Sequence, residues 1–326
     1  MTTRDAPGPA MPLDLLIVGA GFSGLYMLHK ARTMGLSALV LEAAPSVGGT
    51  WYANRYPGAR VDIQSLECSF SFSEALQQEW RWTERYAAQP ELLRYSVHVA
   101  DRFGLRCDIR LNTRMTSARF DDLAQRWQVG STGADGEPQS WDARFVVEAI
   151  TPTGLRTGGD EHAFDTLVLA TGFDSVTGTL MRLDLRGRGG LRIQDKWRDG
   201  PLNYLGLTVA GFPNLFNIAG AGSTSAFTSV IVSIEHHVDW IADCIAWMHD
   251  RGHATIEATN VAERAWVAHV NAVAAHTVFL SCNSWYLGAN IPGKPRMLMP
   301  LAGGFPAYAE RCAAVADQGY AGFALG

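Results

Sequence analysis

The chain has 326 residues, 47% of them hydrophobic, with a formal net charge of -5 and a pI near 6.0. That length allows a substantial core in one large domain or two, and the mild acidity gives no electrostatic case for nucleic acid or an anionic membrane surface. No apolar run reaches the roughly 18–20 residues of a membrane span. Residues Met1–Pro12 hold no apolar signal segment, and the five cysteines (Cys68, Cys107, Cys244, Cys282 and Cys312) form no C-x-x-C pair, so neither zinc nor a disulfide framework is suggested and a cytoplasmic setting is expected.

The first element in chain order carries the strongest signal. Leu13–Val18 reads as a short buried strand running straight into Gly19-Ala20-Gly21-Phe22-Ser23-Gly24, which opens a helix over Phe22–Met34 closed by Gly35. This is the dinucleotide fingerprint in its proper context. Gly19 permits the tight turn, Gly21 lets backbone N–H groups approach a pyrophosphate, and Gly24 lets helix and strand pack closely. The helix N-terminus then offers unpaired donors and partial positive charge to the phosphates. A second strand, Ala38–Leu41, ends at Glu42, which follows Gly24 by 18 residues. An acid roughly 20 residues on receives ribose hydroxyls. With no arginine nearby, it favours FAD or NAD over NADP; the bland alternative is a surface glutamate at a strand end.

A helix is expected over Pro90–Phe103, stopped by Gly104. Strands follow at Arg114–Phe120, Arg126–Val129 and Trp141–Val147, the last two joined by a turn, Ser131–Gln139, rich in Gly, Asp and Pro. Phe164–Leu169 reads as a buried strand ending in Ala170-Thr171-Gly172, and Leu215–Ile218 as another, closed by Gly220-Ala221-Gly222-Ser223. In the next helix Val230, Ile234, Val238, Ile241, Ile245 and Met248 recur at steps of three and four, the mark of one buried face. A last helix, Val261–His276, follows Asn260 as its cap.

Further segments are more specific together than the glycine turn alone. They are Gly48-Gly49-Thr50-Trp51, Asn54 to Asp62, Leu169 to Asp174, Gly211 to Phe216, and Ser284 to Arg296. In this order, from Leu13 to Phe323, the chain resembles the flavin-dependent Baeyer–Villiger monooxygenases. The resemblance implies an α/β fold, here a single FAD-binding Rossmann-like domain with a β-meander and C-terminal helices. It implies oxygenation of a ketone or sulfide by reduced FAD and dioxygen. It places Gly19, Gly21, Phe22, Ser23 and Gly24 on the FAD pyrophosphate, Glu42 on its ribose, and Gly49, Thr50 and Trp51 along the cofactor. Asp62 matches an aspartate close to the flavin that orients a basic partner, and Trp285 and Lys294 lie in a loop that helps cover the active site. Cys68 stands where a relative has a tyrosine near the cofactor. Ala221, Thr224 and Val230 replace two prolines and a methionine. The residues by themselves leave blander readings open: Trp51 and Trp285 as core aromatics, Asp62 as a loop-capping carboxylate.

One family part is missing. Members bind NADPH in a second dinucleotide domain inserted into the first. Here Phe145-Val146-Val147 joins directly to Glu148-Ala149-Ile150-Thr151-Pro152, which matches a family segment beyond that insertion. The expected organisation is therefore a flexible stretch 1–12 and one FAD-binding domain in two parts, 13–147 and 148–326, with the second dinucleotide-binding domain absent and NADP binding in doubt. An arginine that relatives place beside the flavin goes with it, leaving Arg55, Arg60 and Arg296 as unsupported substitutes. His236 and His237 read as ordinary helix residues. The expectation is a flavin-dependent oxidoreductase fed by light with a sacrificial reductant, a free nicotinamide or a partner reductase. The alternative is a non-catalytic FAD-binding module.

Overall fold

The computed structural model describes residues 12–149, 176–223, 228–281 and 284–326. The expected strand Phe164–Leu169, its Ala170-Thr171-Gly172 end, and Thr224 lie outside the described residues. Eight strands form the main sheet: β1 (Leu13–Val18), β2 (Ala38–Leu41), β3 (Ile109–Arg110), β4 (Arg114–Asp121), β5 (Arg126–Thr132), β6 (Pro138–Ala149), β7 (Asp184–Arg186) and β8 (Leu215–Ile218). Their order is β3-β2-β1-β6-β5-β4-β7, with β8 also paired to β6. Leu15, Leu16 and Ile17 are fully buried, as a central parallel strand covered on both faces requires.

β6 organises the sheet. Pro138–Ala143 pairs antiparallel with β5, Ala143–Glu148 pairs parallel with β1, and Val146–Ala149 pairs parallel with β8. The strand passes unbroken through the Val147–Glu148 junction. One shared strand thus joins the parallel sheet of the N-terminal part to a strand of the C-terminal part.

Nine α-helices lie among the described residues: α1 (Phe22–Thr33), α2 (Thr50–Ala53), α3 (Glu74–Glu79), α4 (Gln89–Arg102), α5 (Gly178–Arg182), α6 (Ile193–Lys196), α7 (Val230–Arg251), α8 (Asn260–Ala274) and α9 (Phe305–Asp317). Side chains alternate across the sheet. Ile17, Val147, Phe216 and Ile218 meet α1 and α7 through Leu25, Leu28, Ile234 and Ile241, whereas Leu16, Val146 and Leu215 meet Trp127, Phe212 and Trp197 on the other face. A small antiparallel pair, β9 (Ile256–Ala258) with β10 (Phe323–Leu325), lies apart from the main sheet.

Three expectations change. β5 and β6 extend further than their apolar residues suggest, so the turn between them shrinks to residues 133–137, closed by Gly133 and Glu137. The cap of α8 is Thr259, whose side chain accepts from the Ala262 N–H at 3.2 Å, and Asn260 is its first residue. Val230 follows the buried period of α7 but is 51% exposed, whereas its neighbours Ser229 and Ile231 are buried.

Candidate functional site

The carboxyl end of β1 and the two glycine segments form one interlocked structure. Gly19 (φ 96°) turns the chain and donates to the Leu41 carbonyl at 2.8 Å. A Cβ on Gly24 would lie 1.8 Å from the Gly19 carbonyl oxygen, so α1 packs against the turn at a distance only glycine allows. A Cβ on Gly21 would meet the Gly49 Cα at 3.5 Å, and the Gly48 N–H donates to the Ala20 carbonyl at 2.9 Å. The fingerprint turn and the Gly48–Trp51 segment are therefore fastened to each other. α1 starts at Gly21 with no side-chain cap and no acid in its first turn, which leaves its first N–H groups for an external anion. Phe22 packs edge-on against Phe70 at 5.3 Å, while Ser23 is half-buried.

Glu42 is no surface residue. It is buried, and its two carboxylate oxygens accept from the Ala20 N–H at 2.6 Å and the Ala44 N–H at 2.7 Å. It thus fixes the fingerprint turn, and each carboxylate oxygen keeps further acceptor capacity. Glu42→Ala would leave both amides without their acceptor, a loss of about 1–3 kcal/mol each. The expected result is a lower thermal midpoint together with weaker flavin retention, measured by melting the protein with and without FAD; an unchanged midpoint would contradict the clamp.

A second group of the expected site residues gathers on the neighbouring loops. Trp51, on α2, packs with Val61, Cys68, Ala87 and Leu92, and its carbonyl accepts from the Gln89 side chain. Cys68 is buried, and burial, with Glu67 and Asp62 adding to it, pushes its thiol up to about 12. It stays protonated and behaves as a small apolar residue, not a nucleophile. Asp62 is exposed and pairs with no cation among the described residues. The Ser229 hydroxyl donates to the Glu67 carbonyl at 2.9 Å and accepts from the Ile231 N–H at 3.2 Å, which brings Val230 and the start of α7 beside the turn holding Cys68.

Trp285 is 49% exposed and leans on Tyr286, their ring centroids 4.2 Å apart. Its loop is tied elsewhere: the Met299 N–H donates to the Tyr286 carbonyl at 2.8 Å, and the Gly222 N–H donates to the Met299 carbonyl at 2.6 Å. Trp285 thus belongs with the glycine turn after β8, not with the Gly19–Gly24 turn. The three arginines considered as substitutes are all engaged. Arg55 lies over the Tyr52 ring at 4.1 Å, Arg60 pairs with Glu84 at 2.9 Å, and Arg296 donates to the Gly288 carbonyl at 2.7 Å. His237 is fully buried, with Nδ1 accepting from the Ala219 N–H at 3.1 Å, and burial lowers it to about 3. It is a neutral core residue. Half-buried His236 packs against Phe305 and Tyr308.

Sequence reasoning passed over Glu148 as a site residue. It is 2% exposed, at the carboxyl end of β6, with neither carboxyl oxygen bonded, and burial pushes its carboxyl up to about 8. The available signal was an acid closing the apolar run Phe145-Val146-Val147.

Among the described residues, no group of three or more His, Cys, Asp or Glu is placed to hold a metal, and no helix is long and apolar enough to cross a membrane.

Comparison with known proteins agrees with this arrangement. Residues 17–78 match the family model described as an NAD(P)-binding Rossmann-like domain. A cyclopentanone 1,2-monooxygenase of a Comamonas species is 36% identical over 96% of this chain and 96% of its own length. A phenazine N-monooxygenase of Lysobacter antibioticus is 26% identical over 96% of this chain and 97% of its own. A solved structure of an oxidised steroid monooxygenase bound to NADP is 28% identical, with a TM-score of 0.86, over 97% of this chain and 99% of that one. The aligned lengths of 529 and 525 residues exceed the 326 of this chain, so part of each of those two relatives has no counterpart here.

Proposed function

The chain belongs to the flavin-dependent monooxygenases of Baeyer–Villiger type, and on that footing we propose that it is an FAD-binding oxidoreductase whose electrons come from a source other than a dedicated NADPH domain. The carrying observation is the interlocked pair of glycine segments with Glu42 beneath them. Gly24 and Gly21 form a cradle that a Cβ would fill or crowd, and the uncapped start of α1 opens onto it. These residues fit the pyrophosphate and ribose of FAD.

When bound and reduced by two electrons, FAD supplies transfer of one oxygen atom of dioxygen to a ketone or sulfide, the other atom leaving as water. The chain's own residues bind and orient. The N–H groups at the start of α1 receive the pyrophosphate, Glu42 receives ribose hydroxyls, and Gly49, Thr50 and Trp51 run along the cofactor. Cys68 and Val230 present small apolar surface near it, and Trp285 shields one side of the opening. In this reading the chain forms one domain, 13–147 with 148–326, and none of its segments supplies a second nucleotide turn. Arg55, Arg60 and Arg296 are held by other partners, so none of these three stands ready for the position of the lost one. Loss of one preorganised stabiliser of developing charge costs on the order of 10² to 10³ in rate.

The test is anaerobic. The purified protein should show flavin absorption bands. Light with a sacrificial amine should bleach them, while NADPH in the dark leaves them oxidised over the same interval. Rapid bleaching by NADPH would overturn the electron-source reading, and a spectrum without flavin bands would overturn FAD binding.

A further inference from the structure

β1, β6 and β8 end side by side: the last rung of β1 with β6 sets Val18 opposite Glu148, and the last rung but one of β6 with β8 sets Glu148 opposite Asn217. Residues opposite each other in parallel strands project from the same face. These three therefore form a row across the carboxyl ends of the strands, one residue before the Gly19 turn and two before Ala219. Sheets of this kind take ligands in the crevice outside those ends. Glu148 is 2% and Asn217 3% exposed, and neither Glu148 carboxyl oxygen nor the Asn217 side-chain oxygen has a hydrogen-bond partner. Such groups are costly to bury unpaired, and a proton or a ligand relieves the cost.

Glu148 shares the face of Val146 and Leu215; on the elements packed against that face, Arg186 of β7 is held by Asp184 and Lys196 of α6 by Glu263. Asp14 on β1, Arg126 on β5, and Asp142 and Arg144 on β6 stand toward the opposite end of the parallel strands, where Leu13 pairs with Ala143. Lys30 and Arg32 occupy the last turn of α1, and Lys30 is held by Asp239 of α7. β8 carries no ionisable residue. On α7, Glu235 is bound to Ser71 and Phe72, and His237 is neutral against Ala219. Glu42, beyond β1, already accepts from Ala20 and Ala44.

We propose that FAD binding in this chain is linked to one proton held on Glu148: the neutral acid donates a hydrogen bond into the crevice, and the carboxylate repels the dinucleotide. The inference rests on the FAD reading above. The raised titration of Glu148, about 8, agrees with it, since the acid is then neutral at pH 7.

The experiment titrates apoprotein with FAD at constant ionic strength from about pH 6 to about pH 9, following flavin fluorescence. Linkage to one proton predicts a dissociation constant that is flat below about pH 8 and rises toward tenfold per pH unit above it. Glu148→Gln should bind FAD with the low-pH affinity of the parent at every pH. Equal slopes in the two proteins, or a flat parent, would overturn the proposal. If the variant does not fold, calorimetry of the parent near pH 9 in two buffers of different protonation enthalpy decides. About one proton taken up per FAD is expected, and none would refute the linkage. Failure to bind FAD at any pH would defeat the FAD reading as well, whereas pH-independent binding defeats this inference alone.

Discussion

Gly24→Ala is expected to abolish FAD retention and to destabilise the fold. The added methyl would sit 1.8 Å from the Gly19 carbonyl oxygen and 3.0 Å from its carbonyl carbon. These are backbone atoms, with no flexible side chain to move aside. α1 must shift away from β1, and that shift opens the cradle formed with Gly49. Forcing extra atoms into a packed site costs typically about 1–3 kcal/mol, and here the strain falls on the phosphate-binding turn itself. Glu42 loses its geometry at the same time, because Ala20 is one of its two amide donors. The purified variant should be colourless where the parent is yellow, with a lower urea midpoint. A yellow variant of parental stability would show that helix and turn are not packed as described.

Glu148→Gln is expected to raise stability in the absence of FAD, and to do so more as the pH rises. The Glu148 carboxyl has an ordinary value of 4.5 and about 8 in the folded chain, with burial as the cause. The folded state therefore holds this proton more tightly than the unfolded state. The corresponding stability is fully present below about pH 4.5 and is lost as pH rises to about 8, at about 1.4 kcal/mol per pH unit. Above that value both states are ionised and the loss is complete. Glutamine keeps the shape without the charge, so its stability lacks this slope. The difference between variant and parent, read from urea midpoints at several pH values, should widen between about pH 5 and about pH 8 and then level off. Parallel curves would show that Glu148 is solvated or paired when ionised.

Much of the dinucleotide site was legible because its parts are close in sequence and each performs a local task. A buried strand, a glycine that must turn, a glycine that must allow contact, and an acid at the next strand end all lie between Leu13 and Glu42. The structure keeps every one in that order, and α1 and β2 keep their expected places with a one-residue difference at the end of α1. Val230 was misread because helical period reports only a direction. Thr259 was missed as a cap because two adjacent residues could both serve, and only the φ/ψ of the helix start separates them.

By itself, then, the sequence determined the fingerprint turn, its acid, the strand–helix alternation and the family, since these rest on short-range spacing and on residue types that backbone sterics demand. The tertiary structure alone decided three other matters. It turned Glu42 from a strand-end acid into a buried clamp on Ala20 and Ala44. It set Trp285 with the glycine turn after β8. It buried Glu148 without a partner between β1 and β8. Each depends on which strands become neighbours, and for a charged group that neighbourhood sets how much water it keeps and so what its ionisation costs.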